Sequence, residues 1–310
     1  ITDSGKNFLY MHLFGGHTPY FGNQTIEISD RDHRFKENIS VNMTFVFNMQ
    51  YPGRIDIDRK REIMKKLDPA ERSDIIRFLT NRYDERLYYY DSKLGNLFDY
   101  LKKQDLYKDS MIVVTADHGE SFGSHGFYFT HANVYREVLH VPLIIKFPDN
   151  RFSGKKGKQL VRLLDIVPTI YDVLDVRNEE TTGKSLIPTL EGENLNLTAY
   201  SNYRHEHSLI DDEYHYIFRN ASWKIQFLEK NQELSDKERE DITDRTIKEE
   251  LYNFKEDPEE KANIIKKETV IGDRLRGELM DILEDSSSEI HNKSMDENIK
   301  KRLEELGYLK

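Results

Sequence analysis

The 310-residue sequence contains no cysteine. A disulfide framework, a thiolate metal site and a cysteine nucleophile are therefore absent from this stretch of chain. It also has no run of about 18 apolar residues, the length needed to cross a bilayer. Positive charge is not in excess: 46 Lys and Arg stand against 56 Asp and Glu, a formal net charge of -10. Without a basic surplus to neutralise phosphates, the composition argues against nucleic acid as a partner. The acidic surface favours solubility. A serine-hydrolase elbow is missing as well, because neither Ser121 nor Thr130 sits in a strand–turn–helix setting. The chain opens with Ile1 and passes almost at once into an apolar segment. It is expected to be a piece of something longer, so localisation stays open, any export signal lying upstream.

The most informative stretch is Thr115-Ala116-Asp117-His118-Gly119-Glu120, which follows the apolar, β-branched Met111-Ile112-Val113-Val114. That segment reads as a buried strand, and open α/β sheets carry their chemistry at the carboxyl ends of strands. Adjacent Asp117 and His118 offer one hard oxygen and one borderline nitrogen, a pair suited to a catalytic divalent metal. The alternative is an Asp that caps the next turn and a His that packs.

Around this stretch, helical and strand patterns alternate, which predicts an α/β fold with a mostly parallel sheet flanked by helices. Phe8–Leu13 reads as a buried strand ending in a Gly-rich turn. A long amphipathic helix begins at Pro69, and its apolar positions, from Ile76 through Leu101, recur at spacings of three and four. It is expected to end near Lys102-Lys103, where cations suit the helix dipole. Residues 119–130 read as a site-lining loop, Ala132–Leu139 as a short helix, Val141–Phe147 as a strand and Leu160–Leu174 as a helix. From about Asn194 the pattern shifts to short alternating strands at 200–203, 214–219 and 223–228, the signature of a small antiparallel sheet. Residues 229–250 read as an exposed insertion, and two helices, near 266–284 and 295–306, close the chain. The expected division is an α/β core at 1–193 and an α+β subdomain at 194–310.

Three histidines accompany the Asp-His pair as candidates. His17, in a Gly-flanked turn past a strand end, suits contact with an anionic substrate, or is a plain turn histidine. His131 can meet an oxyanion from the side opposite a metal, or simply start a helix. His125, in Gly123-Ser124-His125-Gly126, can bind substrate or hold its own loop by hydrogen bonds. Asp91 reads as a structural helix residue and Asp165 as a helix N-cap.

Taken together these segments resemble the sulfatases of the alkaline phosphatase superfamily. The resemblance is carried by the His17-Thr18-Pro19-Tyr20 turn, the Tyr83–Gly95 helix, Asp117-His118-Gly119-Glu120 with Gly123-Ser124-His125-Gly126, and the stretch from His131 to Val141-Pro142-Leu143-Ile144. Leu164–Thr169, Gly183–Leu186, Glu250-Leu251-Tyr252-Asn253, Asp257-Pro258 and Leu306–Leu309 continue it in order. The resemblance implies a metal-dependent hydrolase of organic sulfate esters, small molecules or glycans. It makes Asp117 and His118 metal ligands, and His17 and His131 catalytic and substrate-binding residues, with His125 a further substrate contact. The implied metal is Ca²⁺, with Mn²⁺ or Zn²⁺ as alternatives. The family's N-terminal third, with two further carboxylates and the segment that yields the formylglycine nucleophile, is not in this sequence. Little or no activity is therefore expected of this chain alone. Many sulfatases carry Asp-Asn where this chain has Asp-His, a pair also found in related phosphodiesterases and phosphonate hydrolases. That activity, or a non-catalytic binding domain on the same fold, are the other readings.

Overall fold

A computed structural model describes residues 7–13, 16–17, 20, 57–176, 181–220 and 247–289. The chain divides into two compact units: Ile1–Lys158 with Leu163–Asn194, and Gln159–Arg162 with Leu195–Lys310.

In the first unit, α1 (Ile57–Lys66) leads into α2 (Pro69–Lys103). The Asp68 carboxylate accepts the Ala70 N–H at 2.9 Å and Pro69 takes the first turn, which fixes where α2 starts. Lys102 and Lys103 occupy its last turn, as expected. Ile75 and Leu79 of α2 pack with Met64 of α1, Tyr20, Tyr128 and Phe129 in one buried cluster. The apolar stripe runs on beyond this core, but Leu87 is exposed. The polar stretch holding α1 gave no periodic signal strong enough to place a helix there.

β1 (Ile112–Thr115) pairs with β4 (Leu143–Lys146), and between them lie β2 (Ser121–Phe122), β3 (Tyr128–Thr130) and the single-turn helix α3 (Arg136–Leu139). The fold class is α/β, as expected. Parallel pairing is not found among the described residues: β1 and β4 run antiparallel, with Thr115 opposite Leu143. A parallel pair needs a crossover that carries the chain back along the sheet, usually by a helix. Here the connection is spent on the β2–β3 hairpin and one helical turn, which reverses direction instead. The helix expected over Ala132–Leu139 is cut to its second half, because the Asn133 side-chain oxygen captures the Tyr135 N–H at 2.9 Å. The apolar segment at residues 8–13 is not a buried strand: it pairs with no described strand, and Phe8, Leu9 and Tyr10 are exposed.

α4 (Ile166–Leu174) carries Pro168 in its first turn, and α5 (Ile187–Glu191) follows. Asp165 stands at the N-cap position of α4, as expected, but its side chain makes no capping bond there. Its buried carboxylate accepts the Lys184 N–H at 2.9 Å. The Thr169 hydroxyl, which donates to the Asp165 carbonyl at 2.6 Å, also accepts the Leu186 N–H at 2.9 Å, so this corner is sewn together from one helical turn.

The second unit is an antiparallel meander of β5 (Ala199–Tyr203), β6 (Glu206–Ile210), β7 (Tyr214–Asn220) and β8 (Ile247–Asn253), in that spatial order. The β6–β7 turn is held by the Asp211 carboxylate, which accepts the N–H groups of Glu213 and Tyr214. α6 (Thr269–Glu289) lays Leu275 and Leu279 against Leu209, Tyr216 and Leu251. Residues 247–250 belong to β8 and not to an insertion. The strand expected at 223–228, the insertion at 229–246 and the helix at 295–306 lie outside the described residues. No helix among the described residues is long and apolar enough to cross a membrane.

Candidate active site

The site lies in the first unit, at the end of β1. The Thr115 hydroxyl donates to the Pro142 carbonyl at 2.8 Å, closing the strand pair where the chain leaves it. Asp117 and His118 come next, and the Gly119 N–H then donates to the Val138 carbonyl at 2.7 Å. A Cβ at Gly119 would lie 2.1 Å from the Glu137 carbonyl oxygen, so only glycine lets the loop approach α3 this closely.

Three of the expected histidines converge here. The His118 and His131 rings stack with centroids 3.9 Å apart and planes inclined by 25°. The His17 ring lies 5.5 Å from His131 and 6.3 Å from His118. Burial, followed by the neighbouring His118 and His17, pushes the His131 imidazole down to about 4. His131 is thus neutral at neutral pH, with one nitrogen to donate and one to accept.

Three comparisons bear on this arrangement. The sequence model of the sulfatase family matches residues 1–176. The chain belongs to the sulfatase family. A second family model, described as the C-terminal part of N-sulphoglucosamine sulphohydrolase, matches residues 123–289. The chain is 30% identical over 217 residues to N-acetylglucosamine-6-O-sulfatase of Bacteroides thetaiotaomicron, which covers 67% of this chain and 35% of that relative. Two solved structures share the fold. One is a complex with its substrate D-glucosamine-2-N,6-O-disulfate, at TM-score 0.51 and 22% identity, covering 76% of this chain and 46% of that one. The other is the phosphonate monoester hydrolase of Agrobacterium radiobacter, at TM-score 0.52 and 19% identity, covering 70% and 42%. This sulfatase-family chain spans about a third of the length of the curated relatives it matches.

The donor chemistry of Asp117 and His118 fits a cation. His118 Nδ1 lies 2.9 Å from the Gly119 carbonyl oxygen. A carbonyl only accepts, so Nδ1 carries the proton and Nε2 presents its lone pair. That Nε2 is 3.9 Å from Asp117 Oδ1, and both side chains reach solvent. Among the described residues no group of three or more His, Asp or Glu side chains is arranged to hold a metal.

His125 has other partners. Its backbone takes a positive φ of 53°, its ring stacks on Tyr135 with centroids 3.6 Å apart, and its Nδ1 lies 3.1 Å from Glu137 Oε1. Asp91 is exposed on α2.

Four further residues of the site carry no expected role: His12 and Lys60, and Tyr20 and Glu120, which stand inside quoted motifs. His12 Nε2 lies 4.0 Å from Asp117 Oδ2, yet His12 was absorbed into an expected strand. Tyr20, Lys60 and Glu120 form a buried group behind the histidines. Burial raises the Glu120 carboxyl to about 7, against the pull of the Tyr20 hydroxyl and the Lys60 ammonium. Burial also lowers Lys60, whose Nζ donates to the Phe129 carbonyl at 3.2 Å. Glu120 belongs to a motif quoted for its chemistry, whereas its buried partner Lys60 lies on α1, a polar stretch without a clear apolar period.

Proposed function

We propose that this chain supplies part of the active site of a metal-dependent sulfatase acting on organic sulfate esters, with sulfated glycans as the substrate class. The observation that carries this reading is the convergence of His17 and His131 on the Asp117–His118 pair at the end of β1. The names of the relatives, among them a sulfatase of an N-acetylated amino sugar, support the substrate class.

In this reading Asp117 and His118 hold a divalent cation, Ca²⁺ before Mn²⁺ or Zn²⁺, together with carboxylates from outside this sequence. When bound, the cation polarises the ester and lowers the pKa of the attacking hydroxyl. The Gly119 carbonyl holds His118 in the tautomer that leaves Nε2 free. His17 and His131 face the non-bridging oxygens. Neutral His131 donates one N–H to an oxygen on which negative charge develops, and its burial keeps water from competing for that bond. His17, in the turn beside it, contacts the anionic sulfate from the other side of the array. The nucleophile is not assigned to any residue of this chain.

The phosphonate or phosphodiester reading is favoured by one feature, the Asp-His pair. Expression from the complete coding sequence, followed by assay on a sulfate monoester, a sulfated glucosamine and an aryl phosphonate ester, separates the two. The expected result is a preference for the sulfate esters in kcat/KM, loss of turnover in chelator, and recovery on adding Ca²⁺. Asp117→Ala should lower kcat by about 10²–10³-fold, the scale for removing one electrostatic stabiliser. A preference for the phosphonate overturns the sulfatase reading. Binding of the sulfated sugar without turnover supports a binding domain instead.

A further inference from the structure

The histidine array depends on the relative placement of two segments, one ending in His118 and one beginning at His131. Besides the pairing of β2 with β3, a carboxylate ties them together. Glu137 Oε1, on α3, accepts the Ser121 hydroxyl at 3.2 Å and lies 3.1 Å from His125 Nδ1. Ser121 Oγ in turn accepts the Asn133 side-chain N–H at 2.9 Å. The Asn133 N–H donates to the His131 carbonyl at 3.0 Å, and its side-chain oxygen accepts the Tyr135 N–H at 2.9 Å. Ser121 and Asn133 are fully buried. On the same turn, the Val138 carbonyl accepts the Gly119 N–H one residue after His118.

The direction of this chain of bonds is fixed. A carboxylate only accepts, so the one hydroxyl hydrogen of Ser121 points to Glu137 and leaves its lone pairs for Asn133. The result is a short polar path from His131 through Asn133 and Ser121 to Glu137, with a backbone bond from the neighbouring residue to the loop of His118. Buried networks of this kind are worth more intact than their separate bonds suggest.

We propose that Glu137 is a positioning residue that sets the His118–His131 stack, and so the spacing between the metal-binding pair and the histidine facing the substrate oxygens. The catalytic part of this proposal rests on the sulfatase reading above; the positioning part does not. Glu137 acts through Ser121, Asn133 and His125.

The test pairs Glu137→Ala with Glu137→Gln, whose amide oxygen can still accept from Ser121 and His125. In the 310-residue chain, the ring resonances of His118 and His131 report the stack directly, since each ring lies in the other's shielding zone. Both are expected to move in Glu137→Ala and to return in Glu137→Gln. In the protein from the complete coding sequence, Glu137→Ala should lower kcat for a sulfate monoester by about 100-fold, the scale of an ångström of misplacement, with KM little changed and activity restored in Glu137→Gln. If Glu137→Ala does not fold, Ser121→Ala breaks the same path at its middle and should move the same two resonances. Unmoved ring resonances in a folded Glu137→Ala or Ser121→Ala overturn the proposal, as does a lowered melting temperature with unchanged kcat per folded molecule. A wild-type protein that hydrolyses no sulfate ester removes the sulfatase reading, while the resonances still decide the role of Glu137.

Discussion

Glu120 is a carboxyl that the fold holds at a cost. Its ordinary value is 4.5, and burial lifts it to about 7 in the folded state. Between those values the folded protein binds a proton that the unfolded chain does not, so this group makes stability fall as the pH rises. The cost is complete above about pH 7 and absent below about pH 4. The 2.5-unit difference corresponds to roughly 3 kcal/mol. Glu120→Gln mimics the protonated form, so its gain in unfolding free energy should be larger at pH 8 than at pH 4 by about that amount. Urea unfolding at the two values checks this, and equal gains would contradict the buried-charge account. Next to it, Gly119→Ala places a Cβ 2.1 Å from backbone that has nowhere to go. It should displace the Asp117–His118 loop from α3, read as loss of turnover and of the His118–His131 ring shifts. At this scale the sequence was informative where chemistry sits in a compact motif: Asp117, His118, His17 and His131 were all named from short patterns, and three of their rings do meet. Lys60, His12 and Glu137 were not: Lys60 lies on α1, which shows no clear period, and His12 and Glu137 make their contacts through tertiary packing that no local pattern announces.

The strands of the second unit hold an arrangement that sequence spacing does not announce. The Ser208 hydroxyl of β6 lies 2.7 Å from His215 Nε2 of β7, and His215 Nδ1 lies 2.5 Å from Glu260 Oε1. Serine, histidine and carboxylate in that order have the connectivity of a hydrolase triad. Burial decides against that use: Ser208 and His215 are 0% exposed and Glu260 1%, so no substrate reaches the hydroxyl. The three groups pin β6, β7 and the loop before α6 together. Removing His215 takes away one hydrogen-bond partner of the buried Glu260 carboxylate, so His215→Ala should cost about 1–3 kcal/mol. Chemical unfolding followed by circular dichroism measures this, and fluorophosphonate labelling of Ser208 should fail in the folded wild type. The elements themselves were unevenly legible. α2 was read to its ends, because Asp68, Pro69, Lys102 and Lys103 punctuate a long 3.6-residue period. The meander was expected as a small antiparallel sheet, yet β6 and β8 were missed. Their strands carry Glu206, His207, Ser208, Lys248, Glu249 and Glu250, polar residues whose partners lie across the sheet and not along the chain.

At the scale of the molecule, the first unit exposes apolar side chains that the sequence marks as core. Phe8, Leu9 and Tyr10 are 79%, 72% and 74% exposed, and Ile144 on β4 is 63% exposed. They belong to a segment that pairs with no described strand and to a sheet of two described strands, an assembly that is marginal in water unless something covers it. The reading of Phe8–Leu13 as a buried strand therefore went astray for a definite reason: composition reports that a segment favours burial, whereas burial itself requires a partner. Opposing this exposure is the net charge of -10, which keeps copies apart at low ionic strength. Salt shortens the reach of that repulsion to about 8 Å at 0.15 M and about 3 Å at 1 M, while leaving apolar contact intact. The 310-residue chain should accordingly bind a hydrophobic dye such as anilinonaphthalene sulfonate and should self-associate as salt is raised. Ile144→Lys puts a charge on the exposed edge of β4 and should reduce both effects without lowering the melting temperature, since Ile144 contributes little to the core. Sedimentation velocity at low and high salt, beside dye fluorescence, reads the two quantities separately. A chain that stays monomeric in high salt and binds no dye would mean that these side chains are covered in solution, and that Phe8–Leu13 is paired after all.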